Sequence, residues 1–152
     1  MVTYDTPSFS DPAKGFPLNF VYDTVKYEVG GTAIGTSDNI RVKRLPKGAQ
    51  IAPEFCAVYA DADPDSGNNL TVKFEVTDGT TTKTVISTSN FQTVDARITP
   101  SAADITGLNL FKTSNDDFYW KLTPVVGDID AAAVLYFVLV YTNDPSRDAA
   151  IT

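Results

Sequence analysis

The chain has 152 residues, 43% of them apolar, with 12 basic against 19 acidic side chains, a net charge of -7 and no histidine. That length and apolar share suit one domain around one core, while the acidic balance disfavours nucleic acid, whose phosphates need clustered Lys and Arg. Without histidine there is no Ser-His-Asp or Cys-His catalysis, no histidine-ligated zinc and no histidine pH switch.

Residues 1–18 carry Pro7, Pro12 and Pro17, each fixing φ and removing a donor, so an extended arm is expected rather than a helix or central strand. Its apolar residues Tyr4, Phe9 and Phe16 are spaced to lie along a surface; a frayed terminus is the competing reading. No basic region leads into an apolar run and no stretch has the length of a membrane-spanning helix, so synthesis in the cytoplasm as a soluble chain is expected.

Strand grammar then takes over. Asn19 to Val29 reads as a strand through Phe20, Tyr22, Val25, Tyr27 and Val29, stopped by Gly30-Gly31. In Ile40 to Leu45 the alternation puts Ile40 and Val42 on one face and Arg41 and Lys43 on the other, before the turn Pro46-Lys47-Gly48. Ile51 to Ala60 reads as one strand kinked at Pro53, with Phe55, Ala57 and Tyr59 sharing a face. A polar loop covers residues 61–69. Leu70, Val72, Phe74 and Val76 then alternate with Thr71, Lys73, Glu75 and Thr77, predicting one buried and one wet face, and Asp78-Gly79 predicts a two-residue hairpin turn into Thr80 to Ile86.

Residues 87–110 give the weakest pattern, with a short helical turn opening near Pro100-Ser101-Ala102-Ala103-Asp104. Phe118, Trp120 and Leu122 mark another strand, and Pro124 to Asp130 a turn-rich loop. Ala131 to Thr142 has no charge, Gly or Pro and is apolar on both faces, the pattern of a central strand covered on both sides. The polar tail spans 145–152. The expected fold is all-β: an antiparallel, jelly-roll-like β-sandwich over residues 19–144 with an N-terminal arm.

Candidate chemistry is sparse, and no cofactor is expected. Asp61, Asp63 and Asp65 sit at the spacing of a calcium loop, yet Pro64 stiffens it and Val72 stands where a bidentate Glu belongs; a solvated loop is the alternative. Asp116, Asp117, Asp128 and Asp130 flank the Trp120 strand as carboxylates for glycoside hydrolysis or as solvated acids. Arg41, Lys43, Arg44 and Lys47 concentrate basic charge on an acidic chain, either to meet an acidic partner or to guard a strand edge. Trp120 and Tyr119, with Tyr22, Tyr27, Tyr59, Tyr136 and Tyr141, either form a sugar-binding platform or close the core with their hydroxyls at its rim. Lone Cys56, in Phe55-Cys56-Ala57-Val58, reads as a small buried hydrophobe.

The run Ser37-Asp38-Asn39-Ile40-Arg41-Val42-Lys43-Arg44-Leu45-Pro46-Lys47-Gly48-Ala49-Gln50-Ile51, the strand Leu70 to Thr77 and the closing Leu139-Val140-Tyr141-Thr142-Asn143-Asp144 resemble, in order, β-sandwich structural proteins of tailed-bacteriophage virions. The resemblance implies a jelly-roll-like fold, no catalysis, self-association with a homotrimer favoured, and binding to the major capsid protein on the virion surface. Capsid decoration (cement) protein, head-fibre subunit and tail subunit share these features. A carbohydrate-binding or adhesion module using Tyr119 and Trp120 stands beside them. Partner-binding residues on the virion reading are Tyr4, Phe9, Phe16, Arg41, Lys43, Arg44 and Lys47.

Overall fold

A computed structural model describes residues 1–6, 19–93 and 95–143. Phe9 and Phe16, with the rest of the arm beyond Thr6, and the 145–152 tail lie outside them. The described chain forms ten strands, β1 Thr3–Asp5, β2 Asn19–Glu28, β3 Asn39–Arg44, β4 Gln50–Ile51, β5 Ala57–Ala60, β6 Thr71–Thr77, β7 Thr82–Asn90, β8 Arg97–Ile98, β9 Tyr119–Val126 and β10 Val134–Asn143. One short helix, α1 Ala102–Gly107, and a 3-10 turn at Pro53–Phe55 complete it.

Sheet A runs β1-β3-β9-β6-β7 and sheet B runs β2-β10-β5-β8, with β4 pairing the far end of β10. Setting aside β1 and β4, the strands pair by nesting: β2 with β10, β3 with β9, β5 with β8, β6 with β7, every pair antiparallel. Alternate nested pairs fall in opposite sheets. That is jelly-roll connectivity, and the expected all-β sandwich is what forms.

The layers meet through aromatic rings. Phe74 stacks on Trp120 within sheet A at 5.5 Å between centroids and meets Phe137 of sheet B at 5.7 Å, while Trp120 lies 6.4 Å from Tyr141. All four side chains are fully buried, as are Leu135 and Leu139. Burying each such side chain contributes on the order of 1.5–3 kcal/mol.

Several local expectations change. Proline at 53 does not kink one strand but opens a 3-10 turn that separates β4 from β5, leaving Phe55 58% exposed and off the β5 face. The β6–β7 loop is four residues, since Thr77↔Thr82 is the last pair; the Asp78 carboxylate accepts from the Thr80 and Thr81 amides and fixes the wider turn. On the face expected to be wet, Glu75 and Thr77 are buried, and Glu75 is held by Lys73 at 3.1 Å and Lys121 at 3.5 Å. Pro124 belongs to β9 rather than to a loop. β3 pairs β9 only as far as Leu122, so the missing proline donor costs no ladder bond on that side. The last strand starts at Val134, after Ala132 turns the chain at φ 63.

Candidate interaction surfaces

The first surface lies where β1 meets β3. β1 runs parallel to β3 with Thr3, Tyr4 and Asp5 opposite Asn39, Ile40 and Arg41. The start of the arm is therefore sheet, and Tyr4 packs half-buried against the core. The Asp5 carboxylate takes both Arg41 donors, at 2.6 and 2.7 Å, in a forked ion pair that raises the guanidinium's pKa. Arg41 also sits 5.8 Å from the Tyr119 ring centroid.

A β-bulge between Arg41 and Lys43 breaks the alternation predicted for β3. Val42 is the extra residue, and its carbonyl accepts from the Thr6 hydroxyl. Lys43 consequently pairs with core-facing Trp120 instead of lying beside Arg41. Its ammonium, with the side chain only 11% exposed, reaches across to the Asp23 carboxylate of β2 and ties the two sheets together. Arg41 and Lys43 are engaged by Asp5 and Asp23; Arg44 and Lys47 are half-exposed, and the Lys47 amide donates to Asp116 at 2.8 Å. The bulge has no signature in residue types, so the sequence could not reveal it.

The acidic loop is built for itself. Asp65, 2% exposed, accepts from the amides of Gly67 at 3.0 Å, Asn69 at 2.6 Å and Leu70 at 2.6 Å, and the Asp63 carboxylate accepts from Asp65 N. Asp130 closes the loop by accepting from the Ser66 amide. Asp65 is spent on backbone donors and Asp61 is exposed. Among the described residues no three acids, cysteines or histidines gather as a metal would need.

Trp120 offers no sugar platform: it is fully buried under Phe74, and only its neighbour Tyr119 reaches the surface. The exposed aromatics are on the other layer. On the outer face of sheet B, Phe20 is 65% and Tyr22 69% exposed, and Phe55 projects from the 3-10 turn. Beside them Tyr59 and Tyr136 stack at 4.9 Å, with the Arg97 guanidinium 5.8 Å from the Tyr59 centroid. An open groove of about 350 Å³ runs between Gln50, Ile51, Pro53 and Glu54 on one side and Ile105, Thr106, Leu108 and Asn109 on the other.

Tyr22, Tyr59 and Tyr136 of this face are among the tyrosines that the sequence offered as a platform or core rim, whereas Phe20 and Phe55 were not singled out as surface residues. Phe20 and Tyr22 share strand parity with Lys26 and Glu28, whereas Val21, Val25 and Val29 have the opposite parity. Two of the strand's three charges lie at the solvent-facing parity, while Asp23, at the other, turns inward to Lys43. Cys56 is buried as expected, with desolvation pushing its thiol pKa up to about 12. No described helix is long and apolar enough to cross a membrane.

No protein-family model matches the chain, and no curated protein matches it. Among solved structures it is similar to a chain of the cyanophage Pam1 capsid asymmetric unit, with a TM-score of 0.54 and 18% identity over 86% of this chain and 89% of that one. The likeness is one of fold, and it runs through nearly the whole of both chains.

Proposed function

We propose that the protein is a non-enzymatic structural subunit of a bacteriophage virion, a capsid decoration (cement) protein that binds the major capsid protein and stabilises the head. The observation that carries this reading is the end-to-end fold likeness to a chain of a cyanophage capsid asymmetric unit, 86% of one chain on 89% of the other. The motif resemblance at residues 37–51 points the same way. An acidic jelly roll, whose net charge of -7 favours solubility, suits a subunit present in many copies.

The capsid contact is assigned to the rim where β1 and β3 lie, through Tyr4, Arg41, Arg44 and Lys47, with Lys43 behind them and Phe9 and Phe16 carried by the arm. A proline-rich segment loses little conformational entropy when it docks on a neighbour.

The test is co-sedimentation with expanded capsids, together with the capsid melting temperature with and without the protein. Binding and a raised melting temperature are expected; a protein left in the supernatant refutes the reading. Deleting residues 1–17 is expected to abolish binding while the sandwich still melts cooperatively. Equal binding by that variant would remove the arm and β1 from the contact. The mass in solution decides between the homotrimer implied by the resemblance and other assemblies.

A further inference from the structure

We infer that β2 is a dimerisation strand, pairing antiparallel with β2 of a second copy about a two-fold axis at Thr24. The edges available to such pairing differ sharply. β1 offers three residues and β8 two. β7 is long, but two register shifts interrupt its pairing with β6, and α1 is hydrogen-bonded to it through Ser87 and Asp104. β2 offers ten residues in unbroken register with β10, from Asn19↔Asn143 to Glu28↔Val134, with no bulge or proline. A long regular edge is a template for another strand, and proteins that do not use such edges blunt them.

The polarity of β2 is fixed by its exit. The Val29 amide donates to Ala133 O at 2.8 Å, so odd-numbered residues of the strand bond inward to β10. The N–H and C=O groups of Phe20, Tyr22, Thr24, Lys26 and Glu28 therefore point away from the sheet, and among the described residues they have no partner. These same residues carry their side chains on the outer face, where all five are exposed.

A second copy is the occupant that this edge fits, because the strand is complementary to itself. With the axis at Thr24, Phe20 stands opposite Glu28, Tyr22 opposite Lys26, and Thr24 opposite its own copy. All five outward-facing residues are used, giving about ten main-chain hydrogen bonds. No like charges are opposed. Lys26 and Glu28 already pair at 2.8 Å within each copy and present a neutral couple to the partner's aromatics. Threonine opposite threonine and a cation opposite an aromatic ring are favourable cross-strand pairs. Moving the axis to Lys26 would set ammonium against ammonium, and other shifts leave outward groups unpaired. The two four-stranded paths of sheet B become one continuous sheet, and the exposed Phe20 and Tyr22 extend across the seam.

The experiment is sedimentation of the full chain over a dilution series, with two variants. The expected wild-type mass is twice the 16.4 kDa of the monomer. Thr24→Pro removes a donor that only the partner strand uses, at an edge position where proline is tolerated, and is expected to leave a monomer. Thr24→Cys places two sulfurs across a hydrogen-bonded antiparallel pair, where Cα atoms stand about 5.5 Å apart and a disulfide fits. It is expected to cross-link on oxidation, while Thr80→Cys, on the exposed β6–β7 loop, stays uncross-linked. Buried Cys56 takes no part. A monomeric wild type, a three-fold mass, a dimer that survives Thr24→Pro, or a Thr24→Cys variant that fails to cross-link would each overturn the assignment.

Discussion

Asp104 is where a short, exposed helix is joined to the sandwich, and its replacement has a calculable cost. One carboxylate oxygen accepts from the Ser101 amide at 2.9 Å, the Ser87 amide at 3.1 Å and the Ser87 hydroxyl at 3.1 Å, while the Asp104 amide donates to Ser101 Oγ at 3.2 Å. The capping box therefore starts α1 and bonds it to β7 at once. Asp104→Ala leaves two backbone N–H groups without their acceptor. A buried unsatisfied donor costs about 1–3 kcal/mol, and water can reach exposed Ser87 and Ser101, so each costs only about 1–1.5 kcal/mol, about 2–3 kcal/mol in all. For a chain of this size that lowers Tm by roughly 4–12 °C.

The pH dependence supplies the sharper assay. Burial alone would raise the Asp104 pKa, but hydrogen bonds from Ser101 and Ser87 outweigh it and the net shift is downward from 3.8. A carboxylate with a depressed folded pKa adds stability above its unfolded value, and that stability fades as pH falls through the folded pKa. The gap in unfolding free energy between wild type and Asp104→Asn should be full at neutral pH and shrink below about pH 3.8. Chemical denaturation of both proteins from neutral to acid pH measures it. A pH-independent gap, or an Asp104→Ala protein that melts with the wild type at neutral pH, would refute the account of this site.

Three further outcomes are expected. Gly127→Ala should destabilise by about 1–3 kcal/mol beyond any effect of Gly79→Ala. Both glycines have positive φ, but only at 127 would a Cβ also press on the Asn69 side chain and stand 3.2 Å from Leu70 Cα, and paired thermal melts separate the two. Phe74→Ala, which empties the contact between Trp120 and Phe137, should cost about 3–5 kcal/mol, read as a lower denaturant midpoint at unchanged m-value. The Cys56 thiol, with its pKa near 12, should resist a disulfide reagent at pH 8 in the native protein and react fully once denaturant is added. Rapid native-state labelling would contradict its burial.

Strand positions were legible because they rest on local alternation: Leu70 to Val76, Phe118 to Leu122 and the apolar run ending at Thr142 all form strands. The apolar second face of that last strand is covered within the described chain at Val138 and Val140, while Val134 and Tyr136 remain half-exposed. The nested pairing was not legible, since nothing local tells β2 that its neighbour lies more than a hundred residues away. Local irregularities were hidden too. The bulge that turns Lys43 towards Asp23 is settled by the register with β9, and the divided strand at Pro53 by the competition of β4 and β5 for different stretches of β10. Of the residues singled out for binding, Tyr4 and Arg41 are brought together on β1 and β3 and Tyr22 is exposed, whereas Phe20 was recognisable only as a strand residue.

The pairing of β2 with β10 has a consequence for how the chain is made. β10 lies between β2 and β5, so sheet B is two disconnected fragments until residues 134–143 have emerged from the ribosome. β2 on one side, and the apolar residues of β5 on the other, must wait in an unpaired state until β10 has been made. Among the described strands the β6–β7 hairpin can close earliest, because its partners are closest in sequence. Completion of sheet B therefore waits on a long-range pairing, which slows folding and leaves the β2 edge exposed to mispairing until it forms. Once β10 is in place, unfolding sheet B requires extracting a strand bonded on both sides, which raises the barrier to unfolding.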